Sequence, residues 1–160
     1  AVRRPRRPAG DDRRDGGGDR PICHKERSVM IGLDKKILVR YLTQDDPGQA
    51  AQATRIIEDQ LTDDDPGFIG LVVLVETTWV LRRLYKASPK EILEPVNDLL
   101  GSRSIIVENR HVVARAVATS ERNASDFADS IIATSALDVG CRKIVSFDRG
   151  AVRAGMTLVE

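Results

Sequence analysis

A chain of 160 residues, 41% of them hydrophobic, is long enough for one domain with its own core. No apolar run approaches the roughly 20 residues that cross a bilayer, and the arginine-rich start lacks the apolar segment of a secretory signal, so a soluble, cytoplasmic protein with no membrane partner is expected. The net charge of +1 conceals a split: residues 1–29 carry nine basic and five acidic side chains, and residues 30–160 carry sixteen and nineteen.

The first 29 residues, AVRRPRRPAGDDRRDGGGDRPICHKERSV, are Arg, Pro, Gly and Asp with almost nothing to bury. Such a segment cannot offset its ordering entropy, and a disordered basic tail is expected. A basic arm helps to hold RNA. Equally, Met30 opens the first apolar strand, so translation could begin there, with the preceding codons not native coding sequence; the sequence leaves both open. Cys23 and Cys141 lie far apart without metal-ligand spacing, which makes reduced thiols the expectation.

From Met30 the pattern is regular. MIGLD is a short strand ending in Asp34, KKILVRYLTQDDP a helix stopping before Pro47, and residues 48–61 a second helix with Ala50, Ala53, Ile56, Ile57 and Leu61 at helical spacing. After the loop TDDDPG come the strand GFI and a helix over 71–85, then SPKEILEPVNDLLG, a helix opened by Ser88 and closed by Gly101. SIIVE is a strand, helices follow at about 110–122 and 126–139, and the chain ends with the strand KIVSF, a turn at FDRG and the strand TLVE. Short apolar strands alternating with helices predict a mostly parallel α/β sheet with helices on both faces.

In such sheets the working crevice lies beyond the carboxyl ends of the strands. Asp34 follows the first strand and Asp148 follows KIVSF, while Asp126 and Asp129 open the helix DFADSIIATSALDVG. Turns and N-caps favour Asp for local hydrogen bonding, so each acid alone has a structural explanation. Glu76 is more telling, because the helix 71–85 places it in a stripe with Val72, Val73, Trp79 and Val80, expected to face apolar neighbours. There a carboxylate needs a cation, a hydrogen-bond network or a metal ion to offset its desolvation. The plainer alternative is an ion pair with Arg83 or another base, or an end that reaches solvent. His24 lies in the tail and His111 near a helix start, where a surface or capping role is expected.

The segments MIGLDKKILVRYLTQDDP, FIGLVVLVETTWVLRRLYK, DFADSIIATSALDVGC and IVSFDRGA, in this order, resemble the PIN-domain nucleases, especially the VapC-type toxins of toxin–antitoxin pairs. The resemblance runs from Met30 to the end. It implies a PIN-like three-layer sandwich over residues 30–160, a ribonuclease acting on RNA, and a Mg²⁺ or Mn²⁺ site. By position its acids are Asp34, Glu76, Asp129 and Asp148, with Asp126 in support. It also implies a homodimer, and a small antitoxin whose amphipathic segment enters a groove near the helices at 36–61. Hard cations of this kind prefer oxygen ligands and can activate a water beside a phosphodiester.

The chain departs from the family at Lys35 and Lys36, where relatives commonly carry small polar residues and then Asn, and at Gly70, where Ser is frequent. Two ammonium groups beside Asp34 either compete with the metal or snorkel outward onto phosphate. The alternative function is therefore a catalytically weakened PIN-fold RNA-binding or regulatory protein. A haloacid-dehalogenase-like phosphatase would need an acid where Lys36 stands, a receiver domain would need an acidic pair before its phospho-accepting Asp, and no phosphate loop of the GxxxxGK[ST] type is present.

Overall fold

A computed structural model describes residues 2–4 and 29–160; the expectations for Cys23, His24 and the remainder of the arm lie outside the described residues. Strands β1 (Ile31–Gly32), β2 (Gly67–Ile69) and β3 (Ile105–Val107) form a parallel sheet in that order, and β4 (Val145–Ser146) pairs in parallel with β5 (Thr157–Leu158). Between them lie α1 (Lys35–Thr43), α2 (Pro47–Thr54) with its π-helical continuation Arg55–Gln60, α3 (Leu71–Leu84), α4 (Pro89–Gly101), α5 (Arg110–Asn123) and α6 (Phe127–Asp138). The α/β class read from the sequence holds. The strands are shorter than their apolar runs, and the second pair stands as its own small sheet among the described residues.

The sheet's two faces are unequal. Leu33, Ile69, Ile105 and Val107 are buried under the helices, whereas Ile106 on the opposite face is exposed and Phe68 only half-buried. The main core joins the covered face to Leu38, Tyr41 and Leu42 of α1, Leu74 and Leu81 of α3, Val96 and Leu99 of α4, Val113 and Val117 of α5, and Ile131 of α6. Gly67 makes this packing possible: a Cβ there would stand 2.6 Å from Leu61 Cδ1 and 3.1 Å from Leu33 Cδ1, inside van der Waals contact.

Caps set the helix starts where the sequence placed polar residues. The Asp34 side chain accepts from Lys36 N, that of Asp46 from Gln49 N, and that of Asp126 from Ala128 N. Ser88 forms a full capping box: its Oγ accepts from Glu91 N at 3.3 Å while Glu91 Oε2 accepts from Ser88 N at 3.0 Å. Helix α1 ends three residues sooner than its pattern, at Thr43, because Gln44 adopts a left-handed conformation at φ 55° and donates its amide to Arg40 O. At the other end of the chain the expected FDRG turn leads into a 3₁₀ helix, Arg149–Ala154, with Asp148 as its cap.

The arm expected to be without structure is anchored at its start: Val2 packs against the core, and Arg3 and Arg4 bond to the domain. Replacing Ser88 by Ala removes one partner of a two-bond cap. The expected loss is about 1 kcal/mol, or a fall of roughly 2–4 °C in melting temperature by circular dichroism.

Candidate active site

Helix α3 corrects the reading of Glu76. The stripe that includes it faces outward, with Val72 73% and Trp79 55% exposed and the Glu76 side chain 50% exposed. The buried face is Leu74, Thr77, Thr78 and Leu81. Both threonines turn their hydroxyls back onto the helix, Thr77 to Val73 O at 2.8 Å and Thr78 to Val75 O at 2.9 Å, which satisfies the polar atom and leaves a methyl to pack. The stripe read from the sequence stays outside, and the face that carries the two threonines enters the core. Glu76 finds its cation in Lys35, Nζ to Oε2 2.8 Å, a departure residue of α1 and not Arg83. That contact and Asp34 hold the Lys35 ammonium above its usual pKa, the Glu76 hydrogen bond being the larger cause.

A second group of acids gathers at the start of α6. Helix α6 begins at Asp126, so Asp129 falls in its first turn, where the positive end of the helix dipole favours an anion. Asp129 shares a helix face with Ala133, four residues on. Ala133 packs against Ala151, Ala154 and Met156, which fixes the 3₁₀ segment and hence Asp148 beside this face of α6. Asp148 Oδ1 accepts from Gly150 N at 2.7 Å, and a Cβ on Gly150 would press to 3.2 Å of that same oxygen. The buried Ser130 locks the preceding loop: its Oγ is bonded to Ser120 Oγ at 2.9 Å and Ser125 Oγ at 2.8 Å and donates to Asp126 O at 2.9 Å.

These elements bring Asp126, Asp129 and Asp148 to one open cavity of about 570 Å³, rimmed by Trp79, Arg82, Arg83 and Arg153. Asp126 is ion-paired with Arg82. The half-buried Asp129 carboxyl is raised above its usual pKa, first by desolvation and then by the negative charge of Asp148, with Arg82 opposing the rise. Glu76 lines an adjacent depression with Lys35, Val75 and Val80, and Trp79 forms the ridge between the two. Asp34 caps α1 through Lys36 N at 3.1 Å and borders neither hollow. The sequence found the acids but missed Arg82, Arg153 and the position of Trp79. Their signal was faint: Arg82 and Arg83 end α3, where cations favour the helix dipole in any protein. His111 is an exposed partner of Asp138, Nε2 to Oδ2 3.0 Å, in keeping with a surface role.

Asp126, Asp129 and Asp148 thus stand beside arginines on one open cavity of a parallel α/β fold. A family model for the PIN domain matches residues 31–155, and the chain belongs to the PIN domain family. Comparison with curated proteins and with solved structures gives no match. PIN domains are in general metal-dependent nucleases acting on nucleic acid. Asp129 and Asp148 fit that role in donor chemistry, since both offer hard oxygen and their mutual repulsion is what a divalent cation relieves. Glu76 is engaged by Lys35, and among the described residues no three His, Cys, Asp or Glu side chains stand as a set that could hold an ion. No helix among the described residues is long and apolar enough to cross a membrane.

The raised Asp129 carboxyl has a consequence for stability. The folded chain keeps this proton to a higher pH than the unfolded chain, so the stabilisation is present at low pH and is lost as pH climbs from the ordinary carboxylate range through the raised folded value. Asp129→Asn is expected to flatten that decline and to raise the melting temperature at neutral pH. Thermal melts of both proteins from about pH 4 to pH 7 measure it, and parallel curves contradict it.

Proposed function

We propose that the protein is a Mg²⁺- or Mn²⁺-dependent endoribonuclease, the toxin of a toxin–antitoxin module, hydrolysing RNA phosphodiesters. The observation that carries this reading is the Asp129 and Asp148 pair in a cavity ringed by Arg82, Arg83 and Arg153. In this reading Asp129 and Asp148 hold the metal and Asp126 supports them by keeping Arg82 at the rim, whereas Asp34 and Glu76, which the resemblance also assigns to the metal, lie outside this cavity. When bound, the ion supplies a more nucleophilic water and offsets charge developing on the phosphate. The rim arginines bind the RNA backbone on either side, and Trp79, with the Arg83 guanidinium 5.5 Å from its ring centroid, offers an aromatic face to an unpaired base. A cognate antitoxin entering near residues 36–61, a homodimer and a cytoplasmic setting belong to the same proposal.

A second reading, a weakened RNA-binding or regulatory PIN protein, is favoured by one contact: Lys35 already neutralises Glu76 at 2.8 Å. The readings part on cleavage by the purified full chain with Mg²⁺ or Mn²⁺ and total host RNA. The nuclease reading expects cleavage, lost at least roughly 100-fold in Asp129→Asn and in Asp148→Asn, given that even residues behind metal ligands are worth 10–100-fold. Cleavage absent from the wild type and present after Lys35→Thr with Lys36→Asn establishes the weakened reading.

A further inference from the structure

Residues 2–4 come from an arm with little to bury, yet they are held at three points. Val2 packs against the main core. Arg3 N donates to Leu42 O at 2.7 Å, its guanidinium bonds Glu58 Oε1 at 2.8 Å, and it lies 5.3 Å from the centroid of the Tyr41 ring. Arg4 grips Asp98 with two prongs, Nε to Oδ2 at 2.7 Å and Nη2 to Oδ1 at 3.1 Å. With the arm seated on them, the Asp98 side chain is 2% exposed and that of Glu58 11%. Carboxylates at such depth are stable only when a cation or hydrogen bonds meet them, and a planar guanidinium that forks onto one and stacks on an aromatic ring meets them better than an ammonium.

The two walls of this groove come from different parts of the fold. Tyr41 and Leu42 end α1, Glu58 lies in the π-helical segment, and Asp98 belongs to α4. Neighbouring side chains point to opposite sides only in an extended chain, so consecutive arginines reach both walls when the segment is extended.

We propose that this groove is a docking site for an extended peptide segment carrying two consecutive arginines, and that residues 2–4 of this chain are its resident occupant, closing it to arginine-bearing segments of other chains. The inference does not rest on the nuclease site, since none of its residues borders the acid cavity, although Tyr41, Leu42 and Glu58 fall within the surface at 36–61 proposed for an antitoxin. Arginine pairs recur in the arm as Arg6 with Arg7 and Arg13 with Arg14, so a test must silence all three pairs to open the groove.

The probe is a fluorescein-labelled peptide of residues 1–8, blocked at both ends, followed by anisotropy against the full-length chain. A chain with Arg3, Arg4, Arg6, Arg7, Arg13 and Arg14 all changed to Ala is expected to bind the probe at least about tenfold more tightly than the wild type. Adding Glu58→Gln or Asp98→Asn to that chain should remove the gain, as should changing the arginines of the probe to lysine. Glu58→Gln keeps the test decisive if the more deeply buried Asp98 change prevents folding. Equal affinity of the wild type and the six-alanine chain for the probe overturns the proposal, and so does a gain that survives Glu58→Gln.

Discussion

Partial desolvation, and after it the negative charge of Asp148, makes the charge of Asp129 costly in the folded state. The surrounding structure holds the pair together. The N-terminus of α6 places Asp129 in favourable helix potential, the small alanine and methionine cluster seats the Asp148 segment against the same face, and Arg82 moderates the field while tied to Asp126. A fold optimised for stability alone would replace one of these acids. The presence of both beside arginines on an open cavity supports the proposed cation and phosphate site.

Much of this architecture was legible. Ser88, and Asp126 before an apolar helix, are caps whose mechanism is local, so the sequence places them within a residue. The acids at strand ends followed from where loops fall in a parallel sheet. The facing of α3 was not legible, because an apolar helix interrupted by two threonines admits two burial stripes, and hydroxyls that bond their own backbone decide between them only in three dimensions. The docking of residues 2–4 was equally hidden: composition weighs what a segment can bury, not whether distant Glu58 and Asp98 receive its arginines.

Lys35 is where family pattern and this chain's own chemistry diverge. Its ammonium spans from α1 to α3 and neutralises Glu76, one of the four acids that the family resemblance would turn toward a metal. Both side chains of the pair are substantially exposed, so the contact itself contributes little to stability. Its weight is electrostatic and local: it lowers the negative charge next to the cavity in which Asp129 and Asp148 repel one another. The antitoxin surface proposed at residues 36–61 and the arm's groove share Tyr41, Leu42 and Glu58, so a partner segment entering there must displace residues 2–4.

The account rests on Asp129 and Asp148 acting as a divalent-cation site, and the most direct measurement is Mn²⁺ uptake followed by electron paramagnetic resonance of the free ion, with no RNA present. The full chain should deplete the free Mn²⁺ signal with saturation, and the double change Asp129→Asn with Asp148→Asn should weaken that uptake at least about tenfold. Equal depletion by the wild type and the double variant would contradict the assignment.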